Sequence, residues 1–357
     1  MSLVRLRLTQ FRSWERLGLE LDQRPLAIHG PNGAGKTNIL EAVSMLSPGR
    51  GMRGANAADQ ARRGPGAGWQ IRAETDQHQI VTRALPGQSR EVEIDGKPAA
   101  QVALGRLLRV IWLTPAMDRL WTDAPEARRR FLDRLTLSFT PGHAEDALAY
   151  DKAMRERNRL LRDQIRDPAW YRALEIQMAD AGAAVTRNRL DALDRLMVAQ
   201  QGAATSFPAA RLTLLAGEGF ADDPDPDSIA ARLAQGRGRD MAAGRSLTGP
   251  HRADLGAHWG PQDMPAALSS TGEQKALLLS VILANARALA GQGPLLLLDE
   301  VAAHLDAERR AALYDEICAL QAQALLTGTG PELFEPLRGR AQFLPVIRQD
   351  QGSDLAR

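Results

Sequence analysis

An α/β fold interrupted by a helical insertion follows from three features of the sequence. Short strand patterns and one strand–loop–helix unit fill the N-terminal part. Long amphipathic helical patterns fill the middle, and strands and helices alternate again towards the C-terminus. Elements of both kinds at both ends imply one α/β core whose halves are separated by the helical stretch. The expected division is 1–114 for the first half of the core, 115–245 for a helical arm and 246–357 for the remainder.

The elements are legible in order. Val4, Leu6 and Leu8 share one face of a first strand while Arg5, Arg7 and Thr9 share the other; Leu17, Leu19 and Leu21 repeat the alternation after a turn near Ser13–Trp14. A third apolar run, Pro25–Ile28, leads into a Gly-rich stretch at Gly30. From Thr37 the spacing becomes helical through Ile39, Leu40, Val43 and Leu46, and it stops before Pro48 and Gly49. Strands are expected over 70–75, 79–84 and 91–94, the last closed by a turn at Asp95-Gly96. Helices are expected over 124–138, 143–166 and 169–201, with Pro168 breaking the run, and 221–227 reads as a surface loop. Strand and loop signals return near 246–260, followed by a helix over 272–290, a buried strand over 294–299, a helix over 307–323 and a last strand over 323–327.

Composition narrows the class. The 357 residues, 44% hydrophobic and 25% charged, suffice for two or three domains with full cores and exclude a disordered or collagen-like chain. A single cysteine, Cys318, excludes a disulfide framework or a Cys-based zinc site. No apolar run reaches the ~18 residues of a membrane span, and Arg interleaved with Leu at the N-terminus is unlike a secretory leader. The expectation is a cytoplasmic protein with no membrane partner. A net charge of +2 carries no nucleic-acid signal of its own. Only Lys36, Lys97, Lys152 and Lys275 are lysines and every other basic residue is arginine, so arginine clusters weigh little here.

Two motifs carry chemistry. Gly30-Pro31-Asn32-Gly33-Ala34-Gly35-Lys36-Thr37 fits G-x-x-x-x-G-K-[ST] in full, between a predicted strand and a predicted helix. Its glycines let the backbone curl so that successive N–H groups face phosphates, and the helix N-terminus adds its positive end. Lys36 supplies a charge between the β- and γ-phosphates, and the Thr37 hydroxyl is a ligand for Mg²⁺. Leu295-Leu296-Leu297-Leu298-Asp299-Glu300 completes the pattern: an apolar strand buried on both faces, with acids at its carboxyl end where parallel sheets bind ligands. Asp299 is the expected Mg²⁺ holder through water, and Glu300 the residue that polarises an attacking water, so Glu300 and Lys36 are the catalytic candidates.

Between these motifs Ser269-Ser270-Thr271-Gly272-Glu273-Gln274-Lys275 precedes an apolar helix. A Ser and a Gly there can bind an anion, and Ser270 with Glu273 is also the pattern of a capping box. Ala303-His304-Leu305-Asp306 likewise precedes a helix and reads equally as an N-cap. Further runs are Phe11-Arg12-Ser13-Trp14, Pro125 with Arg129-Arg130-Phe131-Leu132-Asp133, Tyr150 with Arg157-Asn158 and Leu160-Leu161, and Thr248-Gly249-Pro250-His251-Arg252-Ala253-Asp254-Leu255.

This order of motifs resembles ABC-type ATPases, in which the signature of one subunit closes over the ATP of another. Within that class the chain is similar to the RecF family, DNA gap-repair proteins related to the heads of SMC and Rad50 proteins, over essentially its whole length. The resemblance implies a P-loop ABC-type ATPase head with a helical insertion subdomain, with 1–114 as lobe I, 115–245 as lobe II and 246–357 carrying the signature, the acidic strand and the D-loop. ATP would be held by Gly30 to Thr37 with Arg12 beside them, and Thr37 and Asp299 would hold Mg²⁺. The signature residues Ser270, Thr271, Gly272 and Glu273 would act in trans, with His304, Leu305 and Asp306 as the D-loop. The implied activity is a slow, DNA-stimulated ATPase whose ATP-dependent homodimer binds gapped DNA or duplex–single-strand junctions. It would act with RecR and RecO to help RecA load, within replication and the SOS response. Two alternatives stay open: another SMC-like head, or a transporter nucleotide-binding subunit.

The chain departs from the family pattern in places. Glu273 stands where Gln is commoner, and Ala253 where an acid is often found. No histidine follows the last strand, which leaves Thr327 or Thr329 to replace the γ-phosphate sensor, and the Q-loop is sought near Thr114-Pro115. Arg128–Arg130 and Arg155, Arg157, Arg159, Arg162 and Arg166 are read either as DNA-phosphate contacts or as a solvated helix face. His251, which with Arg252 follows a tight Gly-Pro turn and has no metal spacing, is expected to be a structural or interface residue. Trp112, Trp121 and Trp170 are assigned to the core or to a subdomain interface, and Cys318 to the interior.

Overall fold

A computed structural model of the chain describes residues 1–62, 68–203, 205–217, 224–260, 263–320, 322–349 and 352–355. The order begins β1 (Leu3–Phe11), β2 (Trp14–Glu20), β3 (Leu26–His29), α1 (Lys36–Ser44), β4 (Trp69–Thr75), β5 (Gln79–Ala84), β6 (Glu91–Ile94), β7 (Lys97–Ala99), α2 (Leu104–Leu107) and β8 (Arg109–Leu113). The middle holds α3 (Pro125–Phe139), α4 (His143–Arg162), α5 (Pro168–Gln200), β9 (Ala210–Leu215), α6 (Pro226–Gln235), α7 (Arg237–Ala243), β10 (Asp254–Trp259) and β11 (Met264–Pro265). The chain then runs through α8 (Thr271–Ala288), β12 (Pro294–Leu298), α9 (Ala307–Ala319), β13 (Gln323–Gly328), β14 (Gln342–Gln349) and β15 (Gly352–Leu355). It divides into two compact units: 1–118 with 202–208 and 278–357, and 119–201 with 209–277.

The first unit contains two six-stranded sheets, β2-β1-β4-β5-β6-β7 and β15-β14-β3-β13-β12-β8. The first is antiparallel throughout. In the second, β14, β3, β13, β12 and β8 run parallel, and β15 turns back against β14. Leu6, Leu8 and Phe11 from β1 join Ile39, Leu40 and Val43 of α1 and Leu297 and Leu325 of the parallel strands in one buried cluster. Helix α1 turns Ile39, Leu40, Ala42 and Val43 into this cluster on one face, while the polar Glu41 and Ser44 on its other side are buried as well. Burying each Ile, Leu or Val side chain contributes about 1.5–3 kcal/mol, so the helix that starts at Lys36 is firmly anchored. Its far end is held by Arg90, whose guanidinium takes the carbonyls of Met45 and Gly49. Burial without a carboxylate lowers that arginine to about 10, and the negative end of the helix dipole is the compensating charge.

In the second unit α4 and α5 form a helical hairpin, and β9, β10 and β11 a small antiparallel sheet. Its interior is unusually polar. Arg157, fully buried, donates to Asp240 (2.7 Å), Ser246 (2.8 Å), the Leu233 carbonyl (3.0 Å) and Glu175 (3.2 Å). Arg189 forks onto Asp133 at 2.7 and 2.9 Å and reaches the Pro250 carbonyl. Burial alone would raise Asp133, but Arg189 and His143 more than reverse it and leave the carboxyl at about 2.

Several expectations change. The unit boundary does not follow 115–245 and 246–357: residues 246–277 pack with the helical arm, because β10 pairs with β9 and Arg128 forks onto Asp254. Of the expected loop 221–227, residues 221–223 lie outside the described residues. Pro226 and Asp227 instead open α6, whose N-cap Asp225 accepts from the Ser228 N–H. Helix 143–166 stops at Arg162 and helix 307–323 at Ala319. Strand β13 is not the last, since β14 and β15 follow. Trp112 and Trp121 are buried, whereas Trp170 is 64% exposed. Cys318 is only half-buried, which still pushes its thiol up. Among the described residues no helix is long and apolar enough to cross a membrane.

Candidate functional site

The Gly30–Thr37 loop links β3 to α1 as the sequence predicts. Gly30, Gly33 and Gly35 all take positive φ (151°, 77° and 99°), the region open to glycine. At Gly35 a side chain would also collide with the hydroxyls of Ser13 and Ser353. Helix α1 begins without a side-chain N-cap; the Asn38 N–H bonds the Gly35 carbonyl at 3.1 Å, which leaves the N–H groups of Lys36 and Thr37 for whatever fills the loop.

Lys36 is buried and donates its Nζ to the carbonyls of Gly30 (2.8 Å) and Pro31 (3.2 Å), while Glu300 Oε1 stands 3.3 Å away. Thr37 Oγ1 donates to Asp299 Oδ1 at 2.8 Å. Thr327, one strand over on β13, donates to the same carboxylate oxygen at 2.8 Å and accepts from the Glu300 N–H at 2.9 Å. Because β12 lies between β8 and β13, the chain leaves the sheet beside both, and the Asp299 N–H bonds the Leu113 carbonyl at 2.9 Å. The Thr114–Pro115 segment therefore lies next to the acids. Glu300 then turns sharply in a left-handed conformation (φ 53°), a geometry costing about 1 kcal/mol or more that functional sites tolerate. His29, just before the loop, is held below its ordinary range by burial, against an opposing pull from Glu332. Thr37 and Asp299 offer adjacent oxygens for a hard divalent cation, which takes its other ligands from water and phosphate.

Arg12 is not free. It forks onto the fully buried Glu41 of α1, with Nε at 2.9 Å, and reaches the Asp59 carbonyl; Arg53 adds a contact to Glu41 at 3.2 Å. Its neighbours brace the loop. Trp14 Nε1 donates to the Gly35 carbonyl at 3.2 Å, and Asn38 Nδ2 to Ser13 Oγ at 2.7 Å.

The signature residues belong to the second unit, at the start of α8, and form the capping box that the sequence allowed. The Ser270 N–H and hydroxyl both donate to Glu273 Oε2 at 2.8 Å, and the Glu273 N–H points back to Ser270 Oγ at 3.4 Å. Thr271 is the first residue of α8, and a Cβ at Gly272 would meet nothing within 4 Å. Asp306 caps α9 by accepting from the Arg309 N–H at 2.8 Å, and Leu305 is buried; the side chain of His304 lies outside the described set.

Other sequence candidates separate cleanly. Arg157 cannot reach a phosphate from its buried network, and Arg128 and Arg129 are tied to Asp254 and the Ala253 carbonyl. Arg155, Arg159, Arg162 and Arg166 are exposed. His251 accepts from the Tyr150 hydroxyl at 2.7 Å and donates to the Ser246 carbonyl at 3.1 Å, which makes it a structural residue of the second unit. Of the two threonines, Thr327 is buried on Asp299 and Thr329 is exposed. Sequence reasoning missed the C-terminal hairpin β14–β15, which places Ser353 against Gly35 and Arg348 near Gly33.

The model of the RecF/RecN/SMC N-terminal domain matches residues 2–352. The DNA replication and repair protein RecF of Mesorhizobium japonicum is 46% identical over 96% of this chain and 95% of its own. Among solved structures, the recombination mediator protein RecF-ATPrS in the RecFOR pathway superposes with a TM-score of 0.84 at 20% identity, over 100% of this chain and 98% of that one. The RecF-ATP structure of the same pathway gives 0.82 at 21% identity, over 99% of both chains.

Proposed function

The chain belongs to the RecF/RecN/SMC N-terminal domain family, among the RecF proteins of DNA replication and repair, and from that premise we propose that it is an ATP-switched DNA-binding factor of gap repair. The observation that carries this reading is the convergence of Lys36, Thr37, Asp299 and Glu300 at the mouth of the Gly30–Thr37 loop, with contacts of 2.8–3.3 Å. Lys36 is held by carbonyls of its own loop, neutral acceptors that a triphosphate can replace with charged ones. Thr37 and Asp299 would hold Mg²⁺, which neutralises charge developing on the phosphates. Glu300 orients the attacking water, and Thr327 fixes the position of both acids.

Closure needs a second copy. Ser270, Thr271 and Gly272 present a helix N-terminus suited to the γ-phosphate of a partner protomer, and Leu305 and Asp306 follow the acidic strand on the route to that interface. A ligand bound only in the closed state stabilises it by about 2.7 kcal/mol per site at a hundredfold excess over Kd, enough for two sites to convert a weak dimer into a stable one. The closed dimer grips DNA at duplex–single-strand junctions and cooperates with RecR and RecO in RecA loading; slow, DNA-stimulated hydrolysis reopens it. Light scattering with and without ATP and Mg²⁺, on gapped DNA and on none, tests the cycle. ATP-dependent dimer mass, lost in Ser270→Arg and prolonged in Glu300→Gln, is the expected result. Normal dimerisation by Ser270→Arg would overturn the in-trans role.

A further inference from the structure

Strand β14 runs parallel to β3, with Pro345 opposite His29, so its next residues accompany the phosphate loop. The Val346 carbonyl lies so close to Gly30 that no side chain could stand there. Two residues on, Arg348 extends over Gly33: a methyl group built on that glycine would meet one atom within 4 Å, the Nη1 of Arg348, at 3.9 Å. The strand is not loose at this point. Arg348 pairs with Ser353 on β15, the Ser353 N–H donates to the Ser13 carbonyl (3.1 Å), and its hydroxyl donates to Ser13 Oγ (2.7 Å).

The other arginines around the loop are engaged. Arg12 and Arg53 share Glu41, and Arg62 stands 4.0 Å from Glu15. The Arg348 side chain is exposed and has no hydrogen bond or ion pair with any described residue. A guanidinium with no partner among the described residues, beside a loop that carries Lys36 and a helix N-terminus, meets like charge that Glu300 offsets only in part. An anion lying in the loop removes that repulsion, and the planar fork of arginine suits phosphate oxygens. We propose that Arg348 is a further side-chain contact of the bound polyphosphate, reaching it across Gly33 from the C-terminal hairpin. The proposal rests on the reading that Gly30–Thr37 holds a nucleoside triphosphate.

Calorimetric titration of the full chain with Mg-ATP and, separately, with inorganic tripolyphosphate tests it. Arg348→Ala is expected to weaken both ligands about tenfold, the scale of one charge-assisted hydrogen bond. Arg348→Lys should recover part of the loss, and the unfolding temperature should not move, because the side chain is exposed. Unchanged affinities, or a loss confined to ATP with tripolyphosphate unaffected, would overturn the polyphosphate contact while leaving the nucleotide site standing. A wild-type chain that bound neither ligand would sink the nucleotide reading and this inference together.

Discussion

In the second unit Arg128, Arg157 and Arg189 each meet a carboxylate and at least one carbonyl, at distances that satisfy the guanidinium. In the first, Lys36 bonds the carbonyls of its own loop, and Glu300 stands off at 3.3 Å in a left-handed conformation. Both sets are basic side chains drawn into the fold, yet their partners differ in kind. Charge that is saturated within the chain serves the fold; charge held by replaceable partners is the candidate for binding a ligand. Mutations should therefore separate into losses of ligand and losses of fold.

The largest expected effect is Lys36→Met, which should abolish measurable ATP binding while leaving the unfolding midpoint nearly unchanged, since few strong bonds are lost. Calorimetry for ligand and thermal unfolding for fold give both readouts. A destabilised Lys36→Met protein would mean that the lysine is structural and would dissolve the distinction.

Arg157→Ala should show the reverse, a cost of about 3 kcal/mol or more from stranding Asp240 in the interior, while Glu175 keeps its pair with Arg237. Its exposed neighbour Arg155→Ala should cost less than about 0.5 kcal/mol. Arg12 tests the boundary between the two behaviours, because sequence places it with the nucleotide and the structure places it on Glu41. Arg12→Ala should cost about 2–3 kcal/mol of stability, and adding Glu41→Gln should restore most of it. A variant with full stability and weaker ATP binding would return Arg12 to the ligand.

His251 supplies a pH test within the second unit. Burial lowers it to about 4, with Arg252 and Arg129 pushing the same way against the Ser246 carbonyl and Asp240. Between about pH 6.5 and 4 the unfolded chain binds a proton that the folded chain refuses, so the contribution of His251 to stability falls as pH falls. The expected loss from pH 6.5 to 5 is about 1.5 kcal/mol. Unfolding curves of wild type and His251→Asn should converge as the pH is lowered; parallel curves would remove His251 from the account.

The phosphate loop, the acidic strand and the helix beginning at Thr271 were readable because each is a local pattern of glycines, apolar runs or caps. Non-local features were harder. Strand β14 has Pro345 at its centre and exposes Phe343 and Ile347, so its alternation is broken, and only pairing with β3 makes it a strand. Arg348 was hidden for the same reason. Two signals were present and misread. Asp225-Pro226-Asp227 looks like a loop but is a helix start, with the cap at Asp225 and proline at the first helical position. Arg157 stands in the buried stripe Tyr150, Ala153, Arg157, Leu161, at helical spacing, which sets it apart from Arg155 and Arg159 without any coordinates.

Glu273 offers the smallest effect and the finest discrimination, because its motif serves fold and ligand at once. Its carboxylate caps α8 and takes the Ser270 hydroxyl, the group expected to meet the partner's γ-phosphate. The carboxylate thus competes for that hydroxyl and brings negative charge towards a triphosphate. Glu273→Gln keeps an acceptor for the cap and should cost the helix at most about 0.5 kcal/mol through the lost dipole interaction. It should strengthen the ATP-dependent dimer a few-fold, because relief of the repulsion counts twice per dimer. Sedimentation velocity with a non-hydrolysable analogue measures this directly. If the dimer were unchanged or weaker while the fold held, the Ser270–Glu273 pair would be a cap alone, and the signature would belong with Arg157 among the saturated, structural motifs.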